Sequence, residues 1–313
     1  MNKKLSRMAA ERGGWFKWGD ALAAGYSISQ IRLRVRRKEW LRLCRDMYVG
    51  ANLRVEGEPP WELTKRVHLM KTDAVLQRME GDAVLSHQSA TLLHGLPIWG
   101  LDYEQVHVTR STGRARSERS VQVHRSALEP EDVCELRGLR LTTAARAFAE
   151  TTCTTSYEVG VVLADAALRA GLVTRDQLIE TAHRLRFRPG SPAARAAAEF
   201  ADGRSESVGE SRLRVLMADK GLPEPELQVE IRDAAGRLLG RVDFLLAKWL
   251  IVEFDGALKY ESPKDVVAEK WREDRIREQG YAFIRVGWPD LDLPVATGRR
   301  LHQALTILRK AKP

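Results

Sequence analysis

Two carboxylates interrupt apolar, strand-like runs near the C-terminus. Asp243 lies within Arg-Val-Asp-Phe-Leu-Leu (241–246) and Glu253 within Leu-Ile-Val-Glu-Phe-Asp-Gly (250–256). A charged group inside an apolar sheet is costly unless a cation or another partner meets it. Only Ala247-Lys248-Trp249 separates the runs, so they read as a β-hairpin with a carboxylate on each arm. A turn centred on Lys248 sets Asp243 opposite Glu253 on one face. A slip of one residue puts them on opposite faces. Glu253 and Asp255 share a face in either register. Glu210, at the start of the preceding helical segment, is placed to approach from above. Such a set suits a divalent cation, Mg²⁺ or Mn²⁺, that keeps several waters. The ion would polarise a phosphate and acidify an attacking water. The plainer alternative makes Asp255-Gly256 a turn and pairs Asp243 with Arg241.

The surrounding pattern supports a sheet. Glu210 to Lys220 reads as a helix, followed by strands at 227–231, 238–246 and 249–255. A charged helix at 265–279 and a strand at 281–286 complete an α-β-β-β-α-β order, which fits a mixed sheet flanked by helices.

The other end of the chain is basic. Residues 1–60 hold thirteen Lys and Arg against six Asp and Glu, a surplus of seven within a net charge of +9. That concentration points to a polyanionic partner. Residues 3–11 and 18–24 read as helices, and Ser27 caps a third that runs from Ile28 to about Arg37. Ile28, Ile31 and Val35 share one face of it, whereas Ser29, Gln30, Leu33, Arg36 and Arg37 lie opposite. Trp40–Leu43 and Met47–Val49 alternate as two strands around Arg45-Asp46. Helix, helix, basic helix and hairpin is the order of a winged helix-turn-helix, which inserts the basic helix in the major groove of duplex DNA. Gln30 and Arg36 are then placed for base edges, with Ser29 beside them. Arg32, Arg34 and Arg37 are placed for phosphate, and Arg45 lies at the wing tip. The same module also serves as a protein-docking unit, which is the competing reading.

Between these ends, residues 59–200 read as mostly helical, with strands at 103–110 and 120–124 around a basic loop. His87, His94, His107 and His124 fall here without compact ligand spacing, so packing or hydrogen bonding is expected of them. No Walker loop, dinucleotide fingerprint or Gly-x-Ser-x-Gly elbow occurs. Cys44, Cys134 and Cys153 are widely separated, form no Cys-x-x-Cys pair and fit a reducing, cytoplasmic setting. The N-terminus lacks the apolar core of a signal peptide, and no run reaches membrane-spanning length, so no membrane association is expected.

Two resemblances sharpen this reading. Arg12-Gly13-Gly14, Ala21-Leu-Ala-Ala-Gly25, the basic helix Ile31–Arg37 and Arg45-Asp-Met-Tyr-Val49 resemble the winged-helix domain of AbiEi-type antitoxins of type IV toxin–antitoxin systems. Ser86-His-Gln-Ser-Ala90 and His94-Gly-Leu-Pro97 are similar to the domain that follows it. Glu210-Ser-Arg-Leu213, Val242-Asp-Phe244, Val252-Glu-Phe-Asp-Gly256 and Arg285-Val-Gly-Trp288 resemble the Vsr-like endonuclease group of the PD-(D/E)XK superfamily. The second resemblance implies that Asp243 and Glu253 bind metal and that Glu210 is the helix acid. It also implies a lysine two residues after the second acid, where this chain has Asp255. Lys259 or Lys270, from the following loop or helix, would be the substitute, unless the lysine is absent altogether, as it often is in the Vsr-like group.

The expected architecture is therefore a multidomain α/β chain. It comprises a winged helix-turn-helix (1–58), a mostly helical AbiEi-like middle domain (59–200) and a mixed-sheet restriction-endonuclease-like domain (201–313). The expected function is a DNA-binding, Mg²⁺-dependent endonuclease. The alternative is a non-catalytic antitoxin and autorepressor that keeps the nuclease fold as a scaffold, with a cognate toxin as partner. A homodimer is expected of the repressor if its operator is palindromic.

Overall fold

Capping and apolar spacing set the first elements. In the computed structural model, which describes residues 1–79, 82–256 and 263–311, Asn2 caps helix α1 (Lys3–Ala10) by accepting from the Leu5 amide. Strand β1 (Trp15–Lys17) and helix α2 (Trp18–Ala23) follow. Ser27 and Gln30 then close a reciprocal capping box on α3 (Ile28–Arg36). Strands β2 (Trp40–Cys44) and β3 (Met47–Gly50) complete an antiparallel sheet of order β1-β3-β2. β1 follows Gly13-Gly14 directly, and its three residues are too few for periodicity to reveal. Phe16 packs with Leu5, Ala21, Ile31, Trp40 and Tyr48. Its neighbour Trp15 faces the other way, into a core shared with Val49, Ala74, Leu85 and Val106.

The chain divides into two compact units, Met1–Thr155 with Thr181–Ser191, and Ser156–Glu180 with Pro192–Pro313. The first contains the elements above. It continues with α4 (Pro60–Leu76), β4 (Val84–Leu85), α5 (His87–Leu93), β5 (Val106–Arg110) and β6 (Arg116–Glu118). Then come β7 (Val121–Arg125), β8 (Val133–Leu136), β9 (Leu139–Thr142) and α6 (Ala144–Thr152). The middle of the chain carries more helix than strand, as expected, but its strands exceed the two expected, because β4 to β9 form a six-stranded mixed sheet of order β6-β7-β5-β4-β9-β8. Its short strands escape pattern reading. β4 has two residues, and β8 and β9 turn through Arg137 and Gly138, both at positive φ.

The second unit holds α7 (Tyr157–Arg169), the first part of α8 (Arg175–Arg184), α9 (Ser191–Phe200) from Pro192 onward, and α10 (Val208–Asp219). It continues with β10 (Glu226–Arg232), β11 (Leu238–Leu246), β12 (Leu250–Asp255) and α11 (Pro263–Glu278). β13 (Ala282–Gly287), α12 (Trp288–Leu291) and α13 (Pro294–Ala311) end it. The sheet order is β10-β11-β12-β13; the first three strands are antiparallel and β13 runs parallel to β12. A parallel return requires a crossover, and α11 supplies it. Leu213, Met217, Phe244, Val252, Phe254 and Leu301 share one core; Leu245, Ile251 and Ile276 of α11 share another. Within this unit Arg214 Nη2 reaches both Asp165 oxygens at 2.8 and 2.9 Å, tying α10 to α7.

Candidate functional site

The hairpin register decides where the acids fall. Leu246 pairs with Leu250, Leu245 with Ile251 and Phe244 with Val252, where the ladder ends, so the turn centres on Lys248, and the same register carried one residue further aligns Asp243 with Glu253. Asp255 lies two residues beyond Glu253 on β12, on the same side. Asp243 Oδ2 accepts from the Phe254 amide at 2.8 Å, which fixes the carboxylate against the neighbouring strand. Asp255 Oδ1 is buried and has no hydrogen-bond partner among the described residues. A buried acceptor left in that state is costly, and a cation relieves it.

Glu210 sits where β10 and α10 meet. Its side chain is buried and accepts three hydrogen bonds, from the Glu206 amide (2.8 Å), Ser207 Oγ (2.8 Å) and Gln228 Nε2 (2.9 Å). Ser207 in turn caps α10 by accepting from the Glu210 amide at 3.1 Å. Gln228 lies between the register pairs Leu227–Phe244 and Val229–Val242, and therefore faces Asp243 across β10 and β11. Its φ of 53° is left-handed, an unfavourable conformation for a residue with a side chain. Gln228 thus bridges Glu210 to the strand position opposite Asp243. Gly209 permits the close approach, because a Cβ there would overlap the Phe254 ring.

Glu253 is met by an arginine that sequence reading did not single out. Arg272 of α11 donates from Nη2 to Glu253 Oε1 at 2.8 Å and from Nη1 to the Arg241 carbonyl at 3.2 Å. Arg285 Nε lies 3.8 Å from Glu253 Oε2, and its Nη2 pairs with Glu273 at 2.8 Å. Lys270 is exposed and two residues from Arg272, about 200° around the helix, so it faces elsewhere. Lys259 lies outside the described residues. Arg241, weighed as a partner for Asp243, pairs instead with Glu206 at 2.8 Å.

The basic helix divides into capping, packing and exposed residues. Gln30 Oε1 accepts from the Ser27 amide at 2.9 Å, and Ser29 Oγ lies 2.9 Å from Ser27 Oγ. Arg34 turns back to Glu39 at 2.6 Å and covers the Tyr26 and Trp40 rings at 5.3 and 5.6 Å, so it serves packing first. Ser29, Arg32 and Arg36 form one exposed stripe, and Arg37 and Arg45 are exposed beside it in sequence and at the β2–β3 turn. Ile28, expected on the inner face, is 51% exposed, whereas Ile31 is fully buried.

Beside that turn the first unit carries a basic cavity of about 360 Å³ lined by Arg42, Arg45, Lys71, Arg78 and Arg119, with Glu104 and Glu118 the acids on its wall. Burial pushes the Cys44 thiol at its base up from its ordinary value, against the lowering by Arg78 and Arg42, so it stays a neutral thiol. Burial also lowers the Lys71 ammonium, with Glu104 and Asp102 opposing.

No family model matches the chain. Two uncharacterized proteins of Mycobacterium tuberculosis, from two different strains, are each 29% identical to it over 212 residues, which span 64% of this chain and 74% of theirs. Among the described residues no helix is long and apolar enough to cross a membrane.

Proposed function

We propose that the chain is a DNA-binding protein whose C-terminal domain hydrolyses phosphodiester bonds with a hard divalent cation, Mg²⁺ or Mn²⁺. The observation that supports this reading is the β11–β12 register, which carried one residue on aligns Asp243 with Glu253, together with Asp255, two residues beyond Glu253, whose Oδ1 is buried without a partner among the described residues. All the donors are carboxylate oxygens, the kind that hard dications take. Asp243, Glu253 and Asp255 would hold the ion, which supplies Lewis acidity toward phosphate and water. The protein's own part is positional and electrostatic. The Phe254 amide fixes Asp243. Glu210, through Gln228, braces the strand position facing it. Arg272 places a cation at Glu253, in the neighbourhood where the nuclease superfamily has lysine, and would take up charge developing on the phosphate.

A winged-helix reading of α1 to β3 supports delivery to duplex DNA. Arg32, Arg36 and Arg37 would lie along the groove, with Arg45 at the wing. The basic cavity adds phosphate contacts from the same unit. A second reading, the non-catalytic AbiEi-like autorepressor with a toxin partner, is favoured by one specific feature. Glu253 is already neutralised by Arg272, and Glu210 is saturated by capping. In that case the acids are structural.

The test is cleavage of plasmid and mismatched duplex with Mg²⁺ or Mn²⁺ by wild type and Asp243→Ala, with DNA binding measured beside it. The nuclease reading expects metal-dependent cleavage that falls at least about 10²-fold in the variant while binding is kept. Salt-sensitive binding without cleavage by either protein would favour the repressor.

A further inference from the structure

The segment Ser86-His-Gln-Ser-Ala90 opens α5 with four consecutive buried polar side chains, Ser86 to Ser89. Such a run is tolerated only where partners are supplied. Around Ser89 they are. His68 Nδ1 donates to the Tyr103 carbonyl at 3.0 Å, the Ser89 hydroxyl donates to His68 Nε2 at 2.9 Å, and Ser89 Oγ accepts from the His107 amide at 2.8 Å. His94 likewise bonds the Thr142 carbonyl at 2.8 Å. The expected hydrogen-bonding role describes His94, and His68 behaves in the same way.

The other imidazoles are arranged differently. His87, His107 and His124 each bring one ring nitrogen within 4.8 Å of the other two. His107 and His124 project from the parallel pair β5 and β7, where His124 pairs with Thr109 and His107 with Gln122. His107 Nδ1 lies 2.9 Å from His124 Nε2. The His87 ring stacks on that of His124 with centroids 3.6 Å apart. His87 reaches this position with a φ of 51°, a strained backbone for a bulky residue. Behind it stands Glu150, wholly buried, with Oε1 held by Arg146 Nε at 2.9 Å. Its Oε2 lies 3.7 Å from His87 Nδ1, which is itself 3.0 Å from Ser86 Oγ, and has no partner at hydrogen-bond distance among the described residues. Gln88 Oε1 beside His107 is also buried without one, although Gln88 Nε2 lies 2.8 Å from His107 Nε2.

We propose that His87, His107 and His124 are ligands of a late first-row transition-metal dication of the Zn²⁺ class, with Glu150 as the outer carboxylate that orients His87. Three imidazoles select this class over Mg²⁺ or Ca²⁺, which take oxygen ligands. An outer carboxylate behind a ligating histidine is a recurrent feature of such sites. At a Zn–N distance of about 2.0–2.1 Å, tetrahedral ligand nitrogens stand about 3.3 Å apart. To meet that spacing the His107–His124 pair would have to open slightly from 2.9 Å and His87 would have to tilt out of its stack. Three protein ligands leave the fourth position to water or an exogenous ligand. Burial first, then the neighbouring imidazoles and arginines, keep all three rings neutral at neutral pH. His107 is pushed down to about 3, His124 to about 4 and His87 well below its ordinary value. The cations nearest the cluster, Arg146 and Arg188, are both turned to Glu150, at 2.9 and 3.7 Å. The site is independent of the C-terminal acids and stands whether or not the chain cleaves DNA.

The test titrates Zn²⁺ and Co²⁺ into chelator-treated full-length protein by calorimetry and visible absorption. The Asp243→Ala/Glu253→Ala variant, which removes the proposed C-terminal acid site, should keep one tight equivalent, as wild type does at the histidines. His107→Ala and His124→Gln should each weaken binding by more than the roughly 10–100-fold that loss of an outer partner costs, and Glu150→Gln by an amount within that range. Co²⁺ added to wild type should shift three imidazole resonances paramagnetically, a readout that needs no variant to fold. Absence of tight binding, binding that survives both histidine variants, or Co²⁺ shifts confined to other histidines would overturn the assignment.

Discussion

At the scale of single residues, the cation at Glu253 is the sharpest point. The resemblance to the nuclease superfamily asks for a lysine two residues after Glu253, and Asp255 stands there. Arg272 supplies a guanidinium to the same carboxylate from α11. If Arg272 acts on the phosphate, Arg272→Ala lowers the cleavage kcat by about 10²–10³. Arg272→Lys should retain much more, because a point charge survives although the fork geometry is lost. Single-turnover cleavage of a labelled duplex with both variants checks this. A rise in rate with Arg272→Ala would show instead that the arginine blocks the site. The two strand acids were legible because Asp243 and Glu253 are charged interruptions in apolar runs joined by three residues. Arg272 was not, because nothing in a helical charge pattern states which strand the helix covers. The three clustered histidines were illegible for the same reason. They come from the start of α5 and from β5 and β7, and strand pairing alone brings them together.

At the scale of elements, the hairpin between β11 and β12 shows what a turn controls. The expected centre at Lys248 is the observed one, and it is held by a turn in which Trp249 donates its amide to the Leu246 carbonyl at 3.1 Å. Both central residues are left-handed, Ala247 at φ 50° and Lys248 at φ 68°. Tight hairpins favour Asn or Gly there, because a Cβ in that region costs about 1–2 kcal/mol. Lys248→Gly should therefore stabilise the chain by about 1 kcal/mol without moving the register, since Gly also loses more freedom on folding. The check is the urea midpoint, which should rise at unchanged slope. A fall would mean that the lysine stem contributes packing that outweighs the strain. The longer strands and the capped helices were readable from alternation and from Ser27 and Ser207. β1, β4, β6, β8 and β9 were not. They span two to four residues each, and they exist because neighbouring strands pair with them.

At the scale of the whole molecule, charge placement was legible and the grouping of elements was not. Trp15, Leu43 and Val49 share a core with Leu85, Val106 and Leu141, so the N-terminal elements and the six-stranded sheet form one compact unit. α7 and most of α9 group with the C-terminal elements, partly through the Arg214–Asp165 pair. Such joins depend on contacts far apart in sequence, which composition and local period do not encode. The charge surplus needs no such contact to act. The exposed arginines of α3, Arg45 and the basic cavity all belong to the first unit; Arg42 is part of the seven-charge excess of residues 1–60, and Arg78 and Arg119 lie beyond it. If this surface meets DNA phosphate, log Kobs should fall linearly with log salt, with a slope near 0.9 per phosphate engaged. Arg36→Ala and Arg78→Ala should each reduce that slope by about one, and together by about two, because the sites are separate contacts. Arg78→Ala should weaken all duplexes alike, whereas Arg36→Ala should also relax sequence preference if that side chain reaches a base edge. Fluorescence anisotropy of full-length protein on a labelled duplex between about 50 and 200 mM salt measures all three quantities. An unchanged slope in the Arg78 variant would remove the cavity from the interface and leave α3 and the β2–β3 turn to account for binding.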